Sequence, residues 1–162
     1  MLRLLSDAEV ISQFGSPDRF ITEDGHASAG WEGQTLDKFR LPAPLPLSWD
    51  KQRLVTHARC HRALRPELEG VLKSIHTLGL WSTIGDFGGC YAFRRIRRGR
   101  GLSRHSWGIA IDLDVGDNPQ GAAGEVHPLV IQAFYDVGWL WGGWFQPPTL
   151  PDSMHFEKAA RL

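Results

Sequence analysis

The stretch Ser103-Arg104-His105-Ser106-Trp107-Gly108-Ile109-Ala110-Ile111-Asp112 sets an imidazole ahead of a carboxylate. A later stretch, Asp152-Ser153-Met154-His155-Phe156-Glu157, offers a second imidazole between two more carboxylates. Imidazole nitrogen and carboxylate oxygen are both good zinc ligands. His105, Asp112 and His155 would supply three protein ligands and leave a fourth position for water. That is the arithmetic of a catalytic site, since a structural site fills all four positions with protein. Asp152 stands three residues before His155. It is near enough to the same ion to take a proton from attacking water and return it to a leaving amine, without being a ligand. Glu157 shares a strand face with His155 if that segment is extended, and could orient the imidazole. Spacing by itself leaves plainer roles open. A single His before a strand is seldom a ligand, Asp112 could cap a turn, and His155 could lie on the surface. His26, His57, His61, His76 and His127 have no partner at a convincing spacing and read as surface or satisfied core residues.

Five arginines, Arg94, Arg95, Arg97, Arg98 and Arg100, crowd one short run. Eighteen Lys and Arg balance eighteen Asp and Glu, so the formal net charge is zero and this positive region is local. A zero balance with no accompanying binding motif argues against a nucleic-acid partner. If 90–96 is a strand, Arg94 and Arg95 point to opposite faces and only one can face the metal. A guanidinium fork there could polarise a scissile carbonyl or hold a substrate carboxylate. Arg97, Arg98 and Arg100 read as solvated loop charge, or as attraction toward an anionic partner.

These groups must be positioned by elements the sequence also announces. Ser6 with Glu9 forms a capping-box pattern for a short first helix, with Val10, Ile11 and Phe14 on its buried side and Gly15 and Pro17 ending it. Residues 16–50 are rich in Gly, Pro and single aromatics. The run Leu41-Pro42-Ala43-Pro44-Leu45-Pro46 should be neither helix nor central strand. The expectation is an ordered arm lying over the domain, because Trp31, Phe39 and Trp49 need somewhere to pack. Pro66 suits a helix start, and Leu68, Val71, Leu72, Ile75 and Leu78 follow at helical spacing over 66–79. Residues 90–96 suggest a strand. Residues 107–115 alternate strictly, which puts Gly108 and Ala110 on the face of Asp112 and leaves room there for an ion. A third helix over 127–138 and a short strand over 154–157 complete the reading. Without a βαβ rhythm the class is α+β, a small antiparallel sheet packed with helices.

At 162 residues and 42% hydrophobic composition, the chain suits a single domain with a real core. The expected organisation is one domain over 1–162, with an N-terminal helix and arm, 1–50, on a catalytic core of about 51–162. Cys60 and Cys90 could pair, but nothing in the sequence demands it. No apolar run approaches membrane-spanning length. The opening residues, MLRLLSDAEVISQFG, do not read as a secretory signal.

The combined motifs resemble the zinc D,D-peptidases of the M15 family, whose pattern is Ser-x-His-x-x-Gly-x-Ala-x-Asp followed by Asp or Glu three residues before a His. Here it reads Ser103 to Asp112, then Asp152 to His155. Gly89-Cys90-Tyr91-Ala92-Phe93-Arg94, Trp141-Gly142-Gly143-Trp144 and Met154-His155-Phe156-Glu157 are similar to the endolysin-type branch. The resemblance covers roughly 66–157. It implies a Hedgehog/DD-peptidase type fold, zinc on His105, Asp112 and His155, and a general base at Asp152, where many members carry Glu. It also implies a substrate-steadying arginine, for which Arg94 matches the position.

The implied function is zinc-dependent hydrolysis of peptidoglycan stem peptides by a monomer. L-alanyl-D-glutamate endopeptidase, as in phage lysins, is favoured; such an enzyme is made in the cytoplasm and reaches the wall through a holin-type pore. D-alanyl-D-alanine carboxypeptidase or dipeptidase is the alternative. A non-catalytic module that keeps fold and metal is the rival class, and retention of three ligands and Asp152 speaks against it. The Gly and Trp segment 141–145 is expected to wall the substrate groove.

Overall fold

The computed structural model describes residues 1–96 and 101–162, so the expectations for Arg97, Arg98 and Arg100 fall outside the described residues. After β1 (Leu2–Leu4), the Ser6 hydroxyl accepts from the Glu9 amide at 3.3 Å and the Ser6 amide donates to the Glu9 carboxylate at 2.8 Å. Both halves of the capping box are therefore present and start α1 (Asp7–Phe14), which buries Val10 and Phe14. Gly15, at φ 89°, ends it. A short α2 (Ala29–Thr35) runs straight into β2 (Leu36–Leu47), which pairs antiparallel with β3 (Asp50–His61).

The Pro-rich run is thus a strand, contrary to the expectation from its prolines. Its ladder with β3 shifts register between Arg40 and Leu45, so Pro42 and Pro44 fall in the bulge where no amide is required. On its other side β2 meets the next strand only at Leu47.

Helix α3 (Arg65–Thr77) has Pro66 in its first turn and buries Leu68, Val71, Leu72 and Ile75. Leu78 lies at the cap and is exposed. Then come β4 (Phe87–Gly89) and β5 (Ala110–Leu113). After them α4 (Pro128–Asp136) is capped by the His127 ring accepting from the Leu129 amide at 3.2 Å. Strands β6 (Trp139–Trp141) and β7 (His155–Arg161) close the order. No described helix is long and apolar enough to cross a membrane.

The α+β class holds, but the sheet is mixed. Its order is β1-β7-β5-β4-β2-β3, with β6 also on β7. The ladders are antiparallel except the single parallel contact between β2 and β4. One apolar core joins the helices to the sheet, and Phe134 of α4 stacks on Phe156 of β7 with ring centroids 4.2 Å apart. Two indoles tie the N-terminal segment to the turn that carries His105. Trp31 donates to the Ser106 carbonyl at 3.1 Å, and Trp107 donates to the Gly15 carbonyl at 2.8 Å.

The far end of β5 hangs on one buried carboxylate. Asp86, 1% exposed, accepts from the Val115 amide at 2.8 Å and the Gly116 amide at 3.1 Å, and pairs with Lys51. Asp86→Ala removes a charged acceptor and strands both amides. Leaving such groups unsatisfied costs about 1–3 kcal/mol each. The metal-free variant should lose about 3 kcal/mol in urea unfolding; a loss within the error of the extrapolation would mean that water satisfies the turn.

Candidate metal centre

His105 sits in a 3₁₀ turn, Arg104–Trp107, entered at Ser103, whose hydroxyl accepts from the His105 amide. Gly108 ends the turn at φ 68°, a left-handed conformation that favours glycine. A Cβ there would also lie 2.8 Å from the His61 amide nitrogen. Strand β5 is therefore shorter than the alternation over 107–115 predicts, and Gly108 does not make room beside Asp112, whereas Ala110, two residues earlier on β5, does share its face. Gly108 packs on β3, and Ala110 is fully buried. The glycine that clears this space is Gly88, where a Cβ would lie 2.8 Å from the Asp112 Cβ.

Asp112 on β5 faces His155 on β7 in register. Directly opposed residues present side chains to one face, and the His105 turn closes over that face. Asp112 Oδ1 lies 2.9 Å from His155 Nδ1 and 3.1 Å from His105 Nε2, and the two ring nitrogens are 3.3 Å apart. The outer nitrogens are tied down. His105 Nδ1 meets the Cys90 carbonyl at 2.9 Å, and His155 Nε2 meets Glu157 Oε2 at 3.0 Å. A carbonyl only accepts, so His105 Nδ1 donates to it, and Nε2 is the nitrogen that faces Asp112 and His155. Glu157 thus stands beside His155 as its strand face implied.

Three electron-rich atoms so close demand a positive charge between them. Burial opposes protonation of His155, yet the hydrogen bonds to Asp112 and Glu157 outweigh it and push its pKa up to about 10. Burial alone would raise Asp112, but the His105 charge and the hydrogen bonds from both imidazoles hold it well below the usual carboxylate range. A divalent cation answers the same demand. Tetrahedral zinc, with bonds of about 2.0–2.1 Å, has ligand–ligand edges of about 3.3 Å, close to those observed. Among the described residues, this trio is the one His/Cys/Asp/Glu group placed to hold a metal ion. The donor set fits zinc.

Asp152 is at the same centre. Its Oδ2 accepts from Gln120 Nε2 at 3.1 Å, while the buried Oδ1 has no hydrogen-bond partner among the described residues. Burial raises its pKa, the nearby Asp112 charge adds to the rise, and the two imidazoles oppose it. The tight turn that joins it to His155 is held by the Asp152 amide on the Gly142 carbonyl at 2.9 Å and the His155 amide on the Asp152 carbonyl at 3.0 Å. Trp141 Nε1 braces the Ser153 carbonyl at 2.7 Å.

A cleft of about 680 Å³ opens over the trio, walled by Trp49, Tyr91, Arg94, Phe145 and Asp152. Residues 90–96 are not the predicted strand. Their backbone is spent on the His105 turn, through Ala92 to the His105 carbonyl at 3.2 Å and Ser103 to the Arg94 carbonyl at 2.9 Å. Only Arg95 bridges, to Leu102. The strand-parity argument for the arginine therefore lapses, but exposed Arg94 does line the cleft. Trp141 and Trp144 do not wall it. Trp141 is turned to Ser153, Trp144 packs edge-on against Tyr135 and Trp141, and Phe145 takes the wall position. Trp49, 73% exposed, is a wall residue that no motif marked. Cys60 and Cys90 are both free and buried.

Residues 97–158 match the peptidase M15 family model described as D-alanyl-D-alanine carboxypeptidase. This span includes all three members of the trio and Asp152. No curated protein and no solved structure matches the chain.

Gly142 is where the Asp152 turn is most crowded, because a Cβ would run into the Asp152 carbonyl oxygen. Gly142→Ala should cost about 1–3 kcal/mol by overpacking and weaken metal binding with it. Gly33→Ala, where a Cβ meets nothing within 4 Å, should be neutral or stabilising. Thermal unfolding and metal titration of the two variants side by side test this, and equal behaviour would refute it.

Proposed function

We propose that the protein is a zinc-dependent hydrolase of peptide bonds in peptidoglycan stem peptides, with L-alanyl-D-glutamate endopeptidase as the favoured activity. The observation that carries this reading is a buried carboxylate oxygen, Asp152 Oδ1, with no hydrogen-bond partner among the described residues, beside three convergent candidate ligand atoms at the floor of a cleft. His105, Asp112 and His155 hold the ion in this reading. When bound, zinc supplies Lewis acidity, activating water and polarising a carbonyl. Asp152 takes the proton of the attacking water on Oδ1 and returns it to the leaving amine. Its Gln120 hydrogen bond fixes the carboxylate plane without occupying that oxygen. Arg94 reaches from the cleft wall to a substrate carboxylate or to the carbonyl under attack. Trp49 and Phe145 give the apolar part of a peptide a surface to lie on. D-alanyl-D-alanine carboxypeptidase is the second reading, and the description of the matched family favours it.

Freshly purified protein should carry about one equivalent of zinc. Asp152→Asn should keep the metal and lose roughly 10²–10⁴-fold in turnover of muropeptides, whereas His155→Ala should lose the metal itself. If zinc falls in step with activity in Asp152→Asn, then Asp152 is a ligand and the division of roles is wrong. Mass analysis of the products separates the two activities: release of terminal D-alanine indicates the carboxypeptidase, and loss of the whole stem beyond L-alanine the endopeptidase. Arg94→Ala should cost about a hundredfold in kcat/KM, and an effect below about threefold would remove Arg94 from the site.

A further inference from the structure

Arg104 is adjacent to a metal-ligand candidate, yet its side chain does not point at the ion site. Its three nitrogens are divided between two segments, the N-terminal Leu5–Asp7 and β7. Nη2 donates to the Leu5 carbonyl at 2.7 Å, Nη1 to Asp7 Oδ1 at 2.8 Å, and Nε lies 3.6 Å from Glu157 Oε1. The other oxygen of that carboxylate, Oε2, is the one that meets His155 Nε2 at 3.0 Å. Arg104 and Glu157 are largely buried, with side chains 15% and 9% exposed. A guanidinium is rigid and planar, so fixing two of its nitrogens on the N-terminal segment fixes where the third can meet Glu157. A carboxylate held on one oxygen presents the other in a set direction. Orientation of a ligand imidazole by such a partner is commonly worth 10–100-fold in metal affinity.

We infer that Arg104 is a positioning residue through which the N-terminal segment Leu5–Asp7 sets the geometry of the metal ligand His155, by way of Glu157. The inference rests on reading the trio as a metal centre, not on which bond is cut. The N-terminal segment is then part of the centre, although none of its side chains reaches the ion. Asp7 is the outer anchor and is itself exposed, with 72% of its side chain in solvent. The contact from Leu5 is a main-chain carbonyl and cannot be deleted by substitution.

The test is a double-mutant cycle read in zinc affinity, by competition with a chelator on the full chain and without substrate. Arg104→Ala should weaken zinc by about tenfold, Arg104→Lys by less, and Glu157→Gln by about 10–100-fold. The decisive comparison is Arg104→Ala in the Glu157→Gln background, where it should add less than about twofold, because residues acting through one another are non-additive. A merely structural arginine would cost the same in both backgrounds, and that outcome overturns the inference. Should Arg104→Ala fail to fold, Asp7→Asn decides. It should weaken zinc a few-fold with an unchanged Tm in the metal-free protein, and undiminished affinity there and in Arg104→Lys would equally overturn the inference. A chain that binds zinc with this coupling and cleaves no stem peptide refutes the proposed function and leaves the inference standing. Hydrolysis with zinc affinity indifferent to Arg104 does the reverse.

Discussion

Asp112 lies directly across the β5–β7 ladder from His155, and the rest of the centre depends on that register. A slip of β7 by one residue would turn His155 to the opposite face and leave Asp112 and His105 without it. In register, three lone-pair-bearing atoms stand 2.9–3.3 Å apart in a buried place. They repel one another unless a positive charge lies among them. The fold tolerates this because the surroundings are rigid. The Cys90 carbonyl and Glu157 fix both imidazoles from behind, and Asp86 pins the turn that follows β5.

That rigidity comes from distant parts of the chain. The His105 turn receives an indole hydrogen bond from Trp31, sends one to Gly15 from Trp107, and engages Leu5 and Asp7 through Arg104. These bonds bring the N-terminal segment onto the turn beside the cleft, whose lining includes Leu4 and Arg104. Buried polar contacts of this kind add modest net stability but penalise any alternative packing that leaves them unmade. The N-terminal segment therefore specifies where His105 sits.

Much of this was legible in the sequence. His105, Asp112 and His155 stood out as candidates because imidazole and carboxylate chemistry is local to the side chain, while spacing alone left plainer roles open and the motif resemblance singled them out. Asp152 and Glu157 followed from their spacing to His155, and the Ser6–Glu9 capping box and the Pro66 helix start from short-range rules. What was not legible has a physical reason in each case. The Cys90 carbonyl is backbone, and any residue would offer it. Arg104 looks like one more loop cation until Leu5 and Glu157 are brought to it across the fold. Residues 91–96 have strand-like composition, but their amides and carbonyls find the His105 turn before they find a sheet. The prolines of β2 were expected to exclude it from the sheet. A bulge places two of them where no ladder bond was needed. Alternation over 107–115 reads as one long strand, but Trp107 and Gly108 belong to a 3₁₀ turn and its left-handed end, and the chain is buried without alternation from His105 to Ile111.

The order of the strands has a consequence for how the protein is born. Strand β7 carries His155 and Glu157, comes after every other strand in the chain, and is the strip on which β1, β5 and β6 all pair. During synthesis on the ribosome, His105 and Asp112 emerge well before it. Until β7 arrives, two of the three ligand atoms have no third, and β1 has no neighbour. Pairing Leu2 with Arg161 requires closing nearly the whole chain, the slow kind of contact in folding. A nascent chain without β7 therefore lacks the third of the grouped side chains. The group can assemble only when translation has passed His155, so that a polypeptide interrupted earlier holds no more than its first two members.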